Sequence, residues 1–195
     1  MSPTEQGPDP VPRQGNALSA ALGRGVLKAL GWRIEGELPR VPRCILIVAP
    51  HTSNWDFVFG LAAKLALRLR ASWLGKDSLF RFPFRGLLEF VGGIPVNRTD
   101  AAGVVASAVA GLQSKPQVFL ALAPEGTRSK VSRWKTGFHR IARGAAVPIC
   151  GVRLDFSRRV LGLGPLLETS DDVEGDLRII QGWFSAEMAR RPENY

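Results

Sequence analysis

His51 and Asp56 are the residues of this chain whose types and spacing most clearly suggest chemistry. The chain has two histidines, and this one stands five residues before a carboxylate, directly after the apolar run 44–49. An imidazole titrates near neutral pH and can take a proton from a hydroxyl, while a carboxylate on its other nitrogen fixes the tautomer and stabilises the imidazolium. We therefore predict that His51 is a catalytic base and that Asp56 orients it.

The same residues also allow a structural interpretation. Ser53 and Asp56 have the spacing of a helix capping box, in which Asp56 would only bind backbone amides. Ser53 and Thr52 also place hydroxyls next to His51, but the chain has no Gly-x-Ser-x-Gly sequence. Direct attack by an acceptor hydroxyl is therefore the simpler chemistry.

A second polar cluster at 124–129 follows a second apolar run at 118–123. Both clusters stand where a predicted strand gives way to a loop. Ligands of open α/β sheets bind outside the carboxyl ends of the strands. If the two strands are parallel, we expect both clusters to face one crevice.

The rest of the chain alternates between apolar runs and segments of helical periodicity. We predict strands at 44–49, 71–75, 117–123 and 147–154, and helices at 54–70, 86–91, 99–113, 135–143 and 177–190. Segment 160–167 is predicted as a strand or loop, and the acidic segment 168–176 is assigned no chemistry. This alternation predicts the α/β class: a single domain with a mostly parallel central sheet flanked by helices.

The N-terminal part is expected to contain a disordered tail, 1–15, followed by the folded domain, 16–195. An amphipathic helix is predicted at 17–32, because Leu18 and Leu22 recur with helical spacing while Arg24 falls on another side. This helix either packs on its own domain or docks on a membrane with Trp32 at the headgroups, and both can hold together.

Charge and cysteine usage narrow the function class. The formal net charge is +9, and seven Lys or Arg residues with no acid lie between 126 and 154, so an anionic partner is expected. The sequence has no recognised nucleic-acid motif, and no apolar stretch long enough to span a bilayer. Cys44 and Cys150 are predicted to be buried thiols, which suits a reducing cytoplasm. His139 is predicted to have a structural or surface role. No metal site is expected.

Four ordered motifs resemble those of the glycerolipid acyltransferases, the lysophosphatidic acid acyltransferase-like family. They are His51-x4-Asp56, Gly93-x4-Arg98, the cluster Glu125, Gly126, Thr127, Arg128 and Ser129, and Val147-Pro148-Ile149. Together they span about 31 to 154, and their order is more specific than any one of them. The resemblance implies that segment 16–195 is an acyltransferase domain.

The resemblance also implies roles for the residues of these motifs. His51 is the base, Asp56 its partner, and Arg98 the ligand of an acceptor phosphate, while Glu125 and Gly126 help to seat the acceptor. Arg98 can instead form a surface ion pair. Thr127 and Arg128 are secondary substrate-binding candidates that can equally hold the shape of the loop.

The implied reaction moves a fatty acyl group from an acyl thioester to a hydroxyl of a glycerolipid. The expected partners are acyl-CoA or acyl carrier protein as donor, a lysophospholipid as acceptor, with 1-acylglycerol-3-phosphate as the default, and a membrane surface. No cofactor beyond the thioester co-substrate is expected, and no nucleic-acid partner. The location implied is cytoplasmic and peripheral at the membrane. The alternative is a non-catalytic module of the same fold that binds anionic lipids.

Overall fold

A single seven-stranded sheet forms the centre of the computed structural model, which describes residues 9–97 and 99–195. Its strands are β1 Arg33–Glu35, β2 Arg43–Ala49, β3 Ala71–Lys76, β4 Gly93–Val96, β5 Val118–Leu122, β6 Ile149–Asp155 and β7 Val160–Leu167. The order is β1-β7-β6-β2-β5-β3-β4, and neighbours are parallel except for β6 and β7. The predicted mostly parallel α/β sheet is confirmed; β1 and β4 are strands that the sequence patterns did not predict.

Helices cover both faces of this sheet. They are α1 Ala17–Ala29, α2 Trp55–Ala66, α3 Arg85–Phe90, α4 Ala101–Gln113, α5 Gly137–Ala145 and α6 Val173–Gln181. Side chains of β2 alternate between the faces: Cys44 and Leu46 pack in the cluster with α1 and α2, while Ile45 and Ile47 pack in the cluster with α5 and α6. Burial on both faces explains why this strand reads as one continuous apolar run.

The two cysteines are core residues, as predicted. Cys44 and Cys150 are both almost completely buried, on neighbouring parallel strands. Burial raises the pKa of both thiols. They therefore behave as small apolar side chains that fill the interior.

Helix α1 packs on its own domain through its smallest side chains. Gly23 lies against α2 so closely that an added Cβ would stand 2.5 Å from the Ala62 carbonyl oxygen. Trp32, beyond the end of the helix, is buried and stacks on Phe59 with ring centroids 3.8 Å apart. Of the two alternatives for this helix, packing on its own domain is therefore observed, and the placement of Trp32 at lipid headgroups is wrong, although Leu18 remains exposed.

The folded domain begins earlier than expected. Residues 1–8 of the predicted tail lie outside the described residues, but Val11 and Pro12 are buried. The Pro12 carbonyl accepts a hydrogen bond from the Arg70 amide at 2.9 Å, and Gln117 Nε2 donates to the Pro10 carbonyl at 3.1 Å. Segment 9–15 is therefore not a disordered tail, because Val11 joins the apolar cluster beneath α1 and α2.

The final helix is shorter and begins earlier than the predicted 177–190. The Asp172 side chain accepts a hydrogen bond from the Gly175 amide and caps α6, which ends at Gln181. Beyond it, Phe184 is buried, and the chain continues through two 3₁₀ helices, Ala186–Met188 and Pro192–Asn194. The apolar residues after 182 that suggested a continuing helix instead pack this irregular segment on the domain.

His139 is an interior residue with a carboxylate partner. Its Nε2 lies 2.8 Å from Asp176 Oδ2, and both side chains are buried between α5 and α6. Burial alone would raise the pKa of Asp176, but hydrogen bonds from His139 and from Ser170 outweigh it and hold this pKa below its ordinary value. The structural role expected for His139 is correct, and the surface alternative is wrong.

Two glycines of α1 provide a matched test of the α1–α2 packing. We expect Gly23→Ala to lower the free energy of unfolding by about 1–3 kcal/mol, because the added methyl group forces two backbones apart. At Gly25 an added Cβ would meet no heavy atom of the described residues within 4 Å, so Gly25→Ala should raise stability by roughly 0.4–1 kcal/mol. Urea unfolding of both variants measures the difference; equal effects at the two positions would contradict close packing at Gly23.

Candidate active site

His51 lies in the connection between β2 and α2, at the carboxyl end of β2. Its Nδ1 is 3.1 Å from Asp56 Oδ2, and its side chain retains 23% exposure while that of Asp56 is almost completely buried. The connection places the histidine before the first turn of α2 and the carboxylate within that turn. The sequence prediction that these two side chains meet is therefore matched by the geometry.

Asp56 is held in place by its neighbour Ser53. The Ser53 amide donates to Oδ2 at 2.8 Å, and the Ser53 hydroxyl donates to Oδ1 at 3.0 Å. The cap-like contacts and the contact with His51 thus occur together, so the structural and the catalytic interpretations of Asp56 do not exclude each other. A carboxylate with this many donors has one fixed orientation.

This contact determines which nitrogen of His51 can accept a proton. An ionised carboxylate offers only acceptor atoms, so the Nδ1 beside it carries the hydrogen of the neutral imidazole. The lone pair then lies on Nε2. An imidazole with a carboxylate on Nδ1 and an unprotonated Nε2 is the arrangement that general-base catalysis by histidine requires.

Glu125 connects the two polar loops. It follows β5, and its Oε1 accepts a hydrogen bond from the His51 amide at 3.0 Å. Its Oε2 is buried and has no hydrogen-bond partner among the residues that the structure describes. Burial raises the pKa of Glu125, and the nearby charge of Asp56 adds to the effect, although hydrogen bonds from the His51 amide and from its own amide act against it.

The loop after Glu125 is shaped by backbone contacts. Gly126 has a φ of +67°, where a side chain would be strained, and an added Cβ would stand 3.1 Å from the stem of Lys135. The Thr127 hydroxyl accepts a hydrogen bond from the Ser129 amide at 3.4 Å. Thr127 thus has the loop-shaping contact that was its alternative to substrate binding.

Two cavities adjoin these loops. The smaller, of about 200 Å³, is bordered by Glu125, Trp134 and Tyr195. The larger, of about 650 Å³, is bordered by residues 52–55 directly after the histidine, and by Arg128 from the second loop. Its remaining wall consists of Ser129, Arg190, Arg191 and Asn194.

A family model described as Acyltransferase matches residues 33–155, which include both polar loops. The chain belongs to the acyltransferase family. Its fold also resembles the crystal structure of the 1-acyl-sn-glycerophosphate (LPA) acyltransferase PlsC from Thermotoga maritima, with a TM-score of 0.60 and 15% sequence identity over 85% of this chain and 76% of that one. At this identity the likeness concerns the fold alone. No curated protein matches the chain.

The acyltransferase domain thus brings His51, Asp56 and Glu125 together, and Gly126 directly follows Glu125 in sequence. Arg128 lies in the wall of the larger cavity. Arg98, the predicted phosphate ligand, lies outside the described residues. Its role stays a prediction from the motif that begins at Gly93.

Two arginines from the C-terminal segment were not recognised as site candidates. The Arg191 amide donates to the Thr52 hydroxyl at 3.2 Å, across 139 positions of sequence. The Arg190 guanidinium lies 5.8 Å from the centre of the Phe156 ring, within cation–π distance. Both residues lie beyond the family match. No local pattern relates them to the histidine loop, and their charge was the only available signal.

The raised pKa of Glu125 has a testable consequence for this acyltransferase. An acid whose pKa is higher in the folded state binds more protons there than in the unfolded chain, so its contribution to stability falls as pH rises from its ordinary value of 4.5 to the folded pKa. Glu125→Gln keeps an acceptor for the His51 amide and removes the charge. We expect its unfolding free energy, relative to the unmodified chain, to increase with pH across this window.

Urea unfolding at acidic and at mildly alkaline pH measures this difference. A difference that stays constant with pH would contradict a buried carboxyl with a raised pKa. Glu125→Ala is the control for the hydrogen bond. It should be less stable than Glu125→Gln by about 1–3 kcal/mol at every pH, because the part-buried His51 amide loses its acceptor.

Proposed function

We propose that this acyltransferase moves a fatty acyl group from an acyl thioester to a free hydroxyl of a glycerolipid, with 1-acylglycerol-3-phosphate as the first acceptor to test. The observation that carries the proposal is the contact between His51 Nδ1 and the buried Asp56. The residues between them in sequence, 52–55, border the larger cavity. Membership of the acyltransferase family favours catalysis over the alternative of a non-catalytic lipid-binding module.

In the proposed reaction His51 Nε2 takes the proton of the acceptor hydroxyl as its oxygen attacks the thioester carbonyl carbon. The tetrahedral intermediate then collapses, and the carbon–sulfur bond breaks. The thiolate leaves with the proton held by the imidazolium, so the products are an ester and a free thiol. Asp56 stabilises the imidazolium between the two proton transfers. No covalent acyl-enzyme is needed, because the thioester is already an activated acyl group.

We further propose that the larger cavity binds a phosphate group. Its wall includes Arg128, Arg190 and Arg191, and none of the described residues that line it is acidic. Guanidinium groups match phosphate oxygens with paired donors. Arg98 is expected to add to this set from its motif. The phosphate belongs either to the lysophospholipid acceptor or to the nucleotide or carrier part of the donor.

The protein is proposed to act at the cytoplasmic surface of a membrane. In the part of the chain that the structure describes, no helix combines the length and the hydropathy needed to cross a bilayer. A long-chain acceptor resides in the bilayer, and a net charge of +9 favours approach to anionic lipids. The donor is acyl-CoA or acyl carrier protein, and both are compared in the assay below.

Loss of the base should abolish most of the turnover. We expect His51→Ala to lower kcat by roughly 10² to 10⁴-fold with the fold intact, the range for removal of a general base. Asp56→Asn should also lower kcat, because the amide can no longer stabilise the imidazolium. The loss should be smaller than for His51→Ala, because the imidazole itself remains. The measurement is acceptor-dependent thiol release from palmitoyl-coenzyme A or palmitoyl-acyl carrier protein, with the ester product identified by mass spectrometry. Turnover by a folded His51→Ala protein at the rate of the unmodified chain would disprove the proposed role of His51.

Substitution of the cavity arginines should impair phosphate binding. We expect Arg128→Ala and Arg191→Ala to raise KM roughly tenfold or more for the substrate whose phosphate occupies the cavity, since a charge-assisted hydrogen bond contributes about 1.5–3 kcal/mol. Arg140→Ala is the matched control, because Arg140 is exposed on the basic helix α5 and does not line the cavity.

The arms of this experiment distinguish the two phosphate sources. KM is measured for phosphorylated and unphosphorylated glycerolipid acceptors, and then for the two donors. A change confined to the phosphorylated acceptor assigns the cavity to the acceptor, and a change in donor KM assigns it to the donor. Equal effects of Arg191→Ala and Arg140→Ala on every KM would contradict the phosphate site.

A further inference from the structure

The segment between β3 and β4 exposes large apolar side chains that are not buried in the domain. Phe82 is 96% exposed and Phe90 is 82% exposed. Leu79, Phe84 and Leu87 are also exposed. We call residues 79–90 the aromatic segment.

This exposure is unusual for a protein surface. Burial of a phenylalanine side chain stabilises by about 1.5–3 kcal/mol relative to exposure, and monomeric proteins rarely present large contiguous apolar patches to water. Helix α3, which the structure describes along its whole length, has no buried residue. Phe84, Leu87 and Phe90 follow one another at intervals of three, so they are neighbours along this short helix.

The aromatic segment is nevertheless anchored to the domain. Within the segment, Phe80 is buried and packs on Trp73 of β3, with ring centroids 5.7 Å apart. The Lys64 ammonium of α2 donates a hydrogen bond to the Val91 carbonyl at 2.6 Å, at the end of the segment. Phe82 and Phe90 are therefore exposed on a segment that is held on the domain by these contacts.

The charges around the apolar side chains indicate the kind of partner. Lys76, Arg81 and Arg85 are exposed here, against Asp77 and Glu89, and Glu89 is paired with Arg85 at 2.9 Å. Aromatic rings with basic side chains beside them suit an anionic lipid interface, where rings enter the acyl boundary and cations meet headgroups. A second copy of the chain fits less well, because it would bring another net charge of +9 to the contact.

We propose that the aromatic segment, and not helix α1, is the surface by which this protein docks on an anionic lipid bilayer. The segment leaves the sheet at the carboxyl end of β3, the edge at which His51 and Glu125 follow the parallel strands β2 and β5. Its other end, with Phe90, precedes β4, which starts opposite Trp73 and runs parallel to β3, so the segment crosses from the carboxyl end of these strands towards their amino end. The benefit of docking for catalysis rests on the proposed lipid acceptor, whereas the docking itself can be measured without any turnover.

The test is sedimentation with sucrose-loaded vesicles of phosphatidylcholine alone and of phosphatidylcholine mixed with phosphatidylglycerol. We expect the unmodified protein to bind the mixed vesicles more strongly. The variant Phe82→Ser/Phe90→Ser should lose about tenfold or more in partition, because two ring insertions are removed. Its thermal unfolding should be unchanged, since both side chains are already in water.

Helix α1 offers the matched control. Leu18→Ser/Leu22→Ser removes two other exposed apolar side chains, of 78% and 62% exposure, and should leave partition within about twofold of the unmodified protein, since α1 contributes no docking surface in this proposal. A large loss in this variant with none in the phenylalanine variant would overturn the proposal in favour of α1. Absence of vesicle binding by the unmodified protein would also overturn it.

Two further outcomes separate this proposal from neighbouring ones. If the unmodified protein is a dimer by light scattering and the phenylalanine variant is a monomer that binds vesicles normally, the surface is a self-association site and the proposal fails. His51→Ala should bind vesicles like the unmodified protein. Vesicle binding that depends on Phe82 and Phe90, in a protein without acyl transfer, would support docking while rejecting the proposed function.

Discussion

The parallel pairing of β2 with β5 is the constraint on which the site depends. The register places Ile47 opposite Leu122, so both strands end at the same edge and their following loops meet. The hydrogen bond from the His51 amide to Glu125 joins these loops directly. Because both faces of the sheet are buried, a one-residue slip of either strand would exchange the side chains that fill the two apolar clusters, and the close packing of these clusters opposes such a slip.

Two buried carboxylates adjoin His51, and their environments suit different tasks. Asp56 receives both donors of Ser53 and faces the imidazole, so its position is set. Glu125 has one oxygen on the His51 amide and the other without a partner among the described residues, so its charge is disfavoured. The first contacts the imidazole of His51 and the second binds the backbone of the loop that carries it. Arg128, Arg190 and Arg191 line the larger cavity, and neither acid is among its described lining residues.

Sequence patterns predicted the parts of this structure that depend on local periodicity. The apolar runs of β2 and β5 were recognisable because both faces are buried, and the His51–Asp56 contact follows from a short turn before a helix. β1 has three residues, too few for a pattern, and exists because Arg33–Glu35 pairs with β7. Contacts between distant parts of the chain were not predictable in this way. His139 meets Asp176 and Thr52 meets Arg191 only because α5, α6 and the C-terminal segment fold against one another.

Asp56 is central to the proposed mechanism, in which it holds His51 in the tautomer whose Nε2 takes the proton. The most direct test is ¹⁵N NMR of the imidazole nitrogens, at a pH where both histidines are neutral, with signals assigned by loss in His51→Ala. The chain has two histidines with opposite contacts, Nδ1 to Asp56 in one and Nε2 to Asp176 in the other. We predict a protonated Nδ1 for His51 and a protonated Nε2 for His139; a protonated Nε2 on His51 would contradict the proposed role of Asp56.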